Sequence, residues 1–352
     1  MDIKARVIAF YLPQFYPTKE NDEWWGVGFT EWTNVGRTKP LYKGHYQPKV
    51  PSELSYYDLR VSETRQKQAA LAKEYGVDGF CYWHYWFSGR RLLSDVFQDV
   101  VNSGTPDFPF CLCWANHSWY KKTWDGESKD KLLICQEYPG KDDYIAHFNA
   151  MLPAFKDDRY MREDGKLLFC IYAPSDIPDF LVLKDTWNEL AAKNGLSGFH
   201  FKGFTMNPND KDVILEKGFD SVILDYVFAD GQKNITQKIA FKLKNKIFKL
   251  PKLRDYNVYI DTIQKEYTYK EKADLCVIPN FDHSPRSQHK GVIYYNSSPK
   301  LWGKLLDYIF GKLNYNKTLF IKAWNEWGEG NYLEPDLKYG RGWLEQIKKY
   351  KR

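Results

Sequence analysis

The run Ala323-Trp324-Asn325-Glu326-Trp327-Gly328-Glu329-Gly330 sets two carboxylates three residues apart among tryptophans and glycines. Glu326 and Glu329 can face one pocket if the chain turns as it leaves a strand. Glycosyl transfer needs two such groups. One assists departure of the leaving oxygen, and the other stabilises or deprotonates on the far side of an oxocarbenium-like centre. The spacing by itself equally describes a solvated loop with two surface glutamates, so the surroundings matter. The chain is 17% aromatic, with 13 Trp and 26 Tyr, which is more than packing requires. Aromatic faces suit the apolar C–H faces of a sugar ring, while polar groups meet its hydroxyl rim.

Such groups must be positioned by a scaffold, and the hydrophobic pattern predicts one. Short apolar runs near residues 6–12, 77–83, 108–114, 166–172, 200–205, 221–227, 275–281 and 318–324 read as strands. Helical patterns follow at 61–75, 91–102, 142–156, 179–194, 209–217, 257–272, 299–312 and 341–350. Strands alternating with helices imply a parallel sheet, and eight repeats without a glycine-rich phosphate loop favour closure into a (β/α)8 TIM barrel. The expected organisation is one catalytic domain over residues 1–352 with elaborated βα loops, carrying insertions at about 13–60 and 230–256. A first connection that long is usually functional, and it is dense in Trp, Gly and Pro.

In such a barrel the reacting groups come from the C-terminal ends of the strands and the loops after them. The predicted substrate contacts are Tyr11 and Gln14 after strand one, Trp25 in the first insertion, Trp83, His84 and Tyr85 after strand two, and Trp114, Asn116 and His117 after strand three. Tyr172 follows strand four, Asp282 strand seven, and Trp324 and Asn325 lead into the two glutamates. Arg286 could pair with Asp282 or clamp a diphosphate.

The motifs also resemble a known family. The segment around Glu326 is similar to the Trp-Asn-Glu-Trp-x-Glu-Gly motif of glycoside hydrolase family 99, the endo-α-mannosidases and endo-α-mannanases. The whole chain resembles the WbsX-type glycosyltransferases found among bacterial cell-surface polysaccharide genes. The matching stretches include Ala9-Phe10-Tyr11-Leu12-Pro13-Gln14-Phe15, Phe29-Thr30-Glu31-Trp32, Gly44-His45-Tyr46-Gln47-Pro48, Gly79-Phe80-Cys81-Tyr82-Trp83-His84-Tyr85 and Tyr332-Leu333-Glu334-Pro335-Asp336. The resemblance implies that Glu326 deprotonates the sugar 2-hydroxyl, which attacks the anomeric carbon from within the ring. It implies that Glu329 is the general acid for the leaving oxygen. Anomeric configuration would be retained, and the two pKa values would have to be pushed apart. After Trp114-Ala115-Asn116 the family pattern has a Glu where this chain has His117, which would change how a hydroxyl or phosphate is held.

The activity implied is a retaining glycosyltransferase building O-antigen- or capsule-type polysaccharide. The alternative is a retaining endo-α-mannosidase- or mannanase-like hydrolase. The expected partners are a glycan acceptor and a nucleotide-sugar donor. The excess of six positive charges is modest, and no nucleic-acid partner is expected. Neither cofactor nor metal is predicted, because no cluster has metal-ligand spacing. Cys81, Cys111, Cys113, Cys170 and Cys276 lie in apolar runs and read as buried free thiols. The first residues lack the pattern of an export signal, so a cytoplasmic protein is expected. Lys233, Lys238, Lys242, Lys244, Lys246, Lys249, Lys252 and Arg254, with Ile235, Ile239, Leu243 and Ile247 every fourth residue, predict a cationic amphipathic helix. It would be able to lie on an anionic membrane, or pack on the barrel with a solvated lysine face.

Overall fold

The computed structural model describes residues 5–121, 131–228, 245, 247–267, 271–313 and 317–351. Eight parallel strands form its centre: β1 Arg6–Tyr11, β2 Gly79–Phe87, β3 Phe110–Trp114, β4 Lys166–Ile171, β5 Phe199–Thr205, β6 Ser221–Asp225, β7 Ala273–Val277 and β8 Thr318–Ile321. Each pairs with the next in sequence, and β1 pairs with both β2 and β8, in register Ile8 to Gly79 and Arg6 to Thr318. The sheet therefore closes, as the sequence predicts.

The helices between strands are α1 Ser62–Glu74, α2 Asp95–Ser103, α3 Lys141–Phe155, α4 Phe180–Lys193, α5 Lys211–Glu216, α6 Tyr256–Glu266 and α7 Pro299–Phe310, with α8 Gly342–Lys348 after β8. Strand residues alternate between two buried environments, because the inner face fills the barrel and the outer face meets the helices. Phe10 turns inward, stacking on Trp83 at 4.6 Å between ring centroids and meeting Phe204 and Phe320. Cys81, Cys111, Cys113 and Cys170 gather in the same interior as buried free thiols. Tyr82, Phe110 and Phe97 of α2 pack together on the outer face.

Two boundaries differ from expectation in ways that bear on function. Strand β2 runs on to Phe87 because Tyr85–Phe87 pair antiparallel with Arg90–Leu92, which also delays α2 to Asp95. Strand β7 ends at Val277, leaving Asn280 and Asp282 in the loop.

The first insertion carries two short helices, Lys19–Trp25 and Glu31–Gly36. In the second, the predicted helix through residue 254 is corrected. Lys252–Asp255 is a strand paired with Val292–Tyr295. Arg254 belongs to no solvated cationic face, since it is buried and donates to the Val227 carbonyl at 2.7 Å and Tyr294 Oη at 2.9 Å. Lys233, Lys238, Lys242, Lys244 and Lys246, with Ile235, Ile239 and Leu243, lie outside the described residues.

Candidate active site

Past β8 the chain turns through Asn325–Glu326 and the short 3-10 helix Trp327–Glu329, and this turn aims both glutamates over the barrel mouth. Gly328 is needed there, because a Cβ at that position would lie 1.6 Å from Glu31 Oε1. Glu31, from the first insertion, accepts from Arg286 Nε at 2.8 Å. Arg286 Nη1 donates to Glu329 Oε1 at 2.6 Å and stands 3.8 Å from Glu326 Oε2. Lys322 Nζ stands 3.9 Å from the other carboxylate oxygen, Glu329 Oε2. Trp83 Nε1 donates to Glu326 Oε1 at 2.8 Å.

These charges separate the two carboxyls. Burial and the neighbouring Glu329 charge push Glu326 up to about 7. Burial would also raise Glu329, but Lys322, Arg286 and His283 outweigh it and hold that carboxyl down to about 2. Each carboxyl feels the other, so the two titrate as a coupled pair. The separation of pKa values expected from the sequence is present. Its direction is the reverse of what the resemblance implies: the surrounding cations favour the ionised form of Glu329, and burial beside that charge favours the protonated form of Glu326. Asp225, at the end of β6, is pushed up to about 6 by burial, against the opposing charge of Lys322.

The pair opens into a cleft of about 640 Å³ lined by Gln14, Trp25, His117, Trp119, Tyr172, Arg286 and Lys322 among others. An adjoining chamber of about 240 Å³ is lined by Trp83, Tyr85 and Glu326. His117 packs against Tyr172 at 5.3 Å, and burial lowers its pKa, which favours a neutral imidazole. Gln14, Trp25, Trp83, Tyr85, His117 and Tyr172 are thus brought together with Glu326 and Glu329.

The other predicted contacts are structural. Tyr11 points outward and donates to Gln68 of α1 at 2.7 Å. His84 also points outward, its Nε2 2.7 Å from His147 Nε2 on α3, and burial lowers its pKa to about 3. Trp114 lies on the same outer face, donating to the Trp86 carbonyl. Trp324 packs against Phe80 at 5.1 Å. Asn116 bridges the loops after β3 and β4 through Ala173, and Asn325 holds Leu12 by two backbone hydrogen bonds. Asp282 is buried behind the turn, accepting from Gln47 Nε2 at 2.6 Å and bonded to His45 Nε2 at 2.8 Å. Burial opposes its charge, but His45 and Lys49 hold it down to about 2. Arg286 therefore pairs with Glu31 and Glu329, not with Asp282.

Glu31, Lys322 and Trp119 are site residues absent from the predicted set. Lys322 did leave a signal, being a lone charge inside the apolar run Thr318-Leu319-Phe320-Ile321-Lys322-Ala323-Trp324.

The sequence profile described as Glycosyltransferase WbsX matches residues 7–347. The chain belongs to the WbsX glycosyltransferase family. Among curated proteins, this WbsX-family chain is 35% identical over 356 residues to "Uncharacterized protein WxcX" of Xanthomonas campestris pv. campestris, covering 97% of the chain and 49% of that protein. The WxcX protein of strain B100 is 34% identical, with the same coverage. The chain thus spans about half the length of the curated relatives it matches.

Two solved structures share the barrel. A "Glycoside hydrolase-like protein" has a TM-score of 0.60 at 14% identity, covering 99% of this chain and 94% of the other. An endo-alpha-mannosidase of glycoside hydrolase family 99 from Bacteroides thetaiotaomicron has a TM-score of 0.53 at 15% identity, covering 99% and 97%. At those identities the likeness is one of fold. Among the described residues no helix is long and apolar enough to cross a membrane.

Proposed function

We propose that this WbsX-family chain transfers a sugar, with retention of anomeric configuration, from a phosphate-activated donor to a glycan acceptor in the assembly of a bacterial O-antigen- or capsule-type polysaccharide. The observation that carries the reading is the carboxyl pair of Glu326 and Glu329, set beside Arg286 and Lys322 and facing a cleft walled by aromatic rings.

The chemistry follows from where the proton sits. Ionised Glu329 takes the proton of the sugar 2-hydroxyl, whose oxygen forms a bond to the anomeric carbon. Glu326 gives its proton to the leaving oxygen as the old glycosidic bond breaks. In the second half, Glu326, now ionised, removes the proton of the acceptor hydroxyl as that oxygen bonds to the anomeric carbon. The bond from the 2-oxygen to the anomeric carbon breaks as the acceptor oxygen attacks, Glu329 returns its proton to the 2-oxygen, and two displacements at one carbon retain configuration. Arg286 and Lys322 offset charge on the departing phosphate; Arg286 Nη2 makes no hydrogen bond among the described residues and its side chain lines the cleft.

Endo-α-mannosidase-like hydrolysis is the second reading. The same pair would serve it if water replaced the acceptor, and solved neighbours named as endo-alpha-mannosidases share the barrel. Titration with nucleotide sugars, alongside incubation with α-mannan fragments, separates the two. Saturable nucleotide-sugar binding without release of reducing ends supports transfer. Mannan cleavage without nucleotide-sugar binding overturns it. A lipid-linked acceptor would bring the protein to the inner face of the cytoplasmic membrane, a placement that the lysine-rich stretch after β6 would serve.

A further inference from the structure

A second cavity, of about 580 Å³, lies on the opposite side of the catalytic turn and shares no lining residue with the cleft. Its partition from the catalytic carboxyls is thin. Lys49 Nζ donates to Asn280 Oδ1 at 2.8 Å and to the Gly330 carbonyl at 3.1 Å. The Asp282 amide donates to the Glu329 carbonyl at 2.6 Å. Tyr332 stacks on Trp327, the residue after Glu326, at 3.7 Å. Whatever occupied this cavity would press on the back of the segment that aims Glu326 and Glu329.

The lining indicates the class of occupant. Tyr42, Tyr46, Tyr295 and Tyr339 are each incompletely buried and supply ring surface, while Asn296, Ser297 and Ser298 supply polar groups for a hydroxyl rim. The charges are unbalanced in use. Asp282 is fully engaged by His45, Gln47 and the Ser284 amide, and Asp336 by Tyr332 Oη and the amides of Lys338 and Tyr339. Among the described residues Lys43 and Lys338 form no ion pair with a carboxylate. Lys49 is buried, donates to Asn280 and Gly330 and sets its charge against Asp282, whereas Lys338 is exposed and rests its ammonium over the rings of Tyr46 and Tyr339, at 4.6 Å and 4.9 Å. Lys43 lines the same space. A pocket of tyrosine faces and hydroxyls, with its carboxylates engaged and the ammoniums of Lys43 and Lys338 exposed, suits a sugar that carries an acid group.

We infer that this cavity is a second glycan-binding site, which holds a segment of acidic oligosaccharide behind the catalytic turn. The inference rests on the glycan-transfer reading of the cleft and adds to it a site for the chain being built. A distal hold of this kind raises the effective concentration of the acceptor end at the cleft.

The test is hydrogen–deuterium exchange of the full chain with alginate, hyaluronan and polygalacturonate oligosaccharides, with manno- and malto-oligosaccharides as neutral controls. The expected result is protection of residues 42–46 and 292–298 by at least one acidic oligosaccharide and by none of the neutral ones. Lys338→Ala, at an exposed side chain, and Tyr295→Ala should each weaken that binding at least tenfold, while Trp119→Ala in the cleft leaves it unchanged. Protection confined to the cleft, equal protection by neutral sugars, or indifference to both substitutions would overturn the second site and leave the glycan-transfer reading standing. No protection in either place by any oligosaccharide would count against both.

Discussion

Arg286 Nη1 stands 2.6 Å from Glu329 Oε1 but 3.8 Å from Glu326 Oε2, an asymmetry that favours the ionised form of Glu329 over that of Glu326. Lys322, 3.9 Å from Glu329, acts in the same direction and is the larger of the two influences. Glu31 fixes the guanidinium from behind, so a residue of the first insertion sets the electrostatics of a turn almost 300 residues later.

The pH dependence follows from that arrangement. Transfer that needs Glu326 protonated and Glu329 ionised is active between their pKa values, about 7 and about 2. As pH rises through about 7 the Glu326 proton is lost and kcat/KM falls. Removing the cation in Arg286→Gln destabilises both carboxylates, so both limbs of the profile move to higher pH. Because that change leaves Glu31 buried and unpaired, the double variant Glu31→Gln/Arg286→Gln is the control for folding. A profile with activity still rising above pH 8 in the parent protein would refute the assignment of the proton to Glu326.

Glu326→Gln and Glu329→Gln should each remain folded and lose at least about a hundredfold in turnover, the lower range for loss of a general acid or base. Circular dichroism establishes the fold and steady-state kinetics the loss. Full activity in either variant removes that residue from the chemistry.

Asn116 and Trp119 should separate structure from substrate contact. Asn116→Ala unties the loops after β3 and β4 and should cost about 1–3 kcal/mol of stability with KM unchanged. Trp119→Ala removes a ring from the cleft wall and should raise KM about tenfold with little change in melting temperature. The opposite pattern would mean the cleft is wrongly drawn.

This contrast shows what was legible in the sequence. The barrel was, because eight apolar runs separated by helical patterns have few other ways to bury their faces. Glu326 and Glu329 were, because both sit in one short segment at a strand end. Tyr11, His84, Trp114 and Trp324 were placed at the correct end of the barrel and on the wrong face. A strand turns alternate side chains inward and outward, so Trp83 reaches the site while His84 meets α3. Glu31, Arg286 and Lys322 act through pairings between separate loops, which no local pattern encodes.

The lysine-rich stretch from Lys233 to Lys249 should bind anionic vesicles at low salt and release them as salt rises, with roughly 1 kcal/mol from each basic residue near the surface. Ile247 and Phe248, each 66% exposed at its end, add apolar contact. Co-sedimentation with anionic and zwitterionic vesicles checks this. Equal, negligible binding to both would leave the stretch as solvated structure.

The most direct measurement is proton NMR of the product formed from an activated sugar donor and a glycan acceptor, read before mutarotation can scramble a free sugar. The predicted product carries the sugar on an acceptor hydroxyl with the donor's anomeric configuration, and disappears in Glu326→Gln. An inverted linkage, a free reducing sugar as the sole product, or transfer that persists without Glu326 would contradict it.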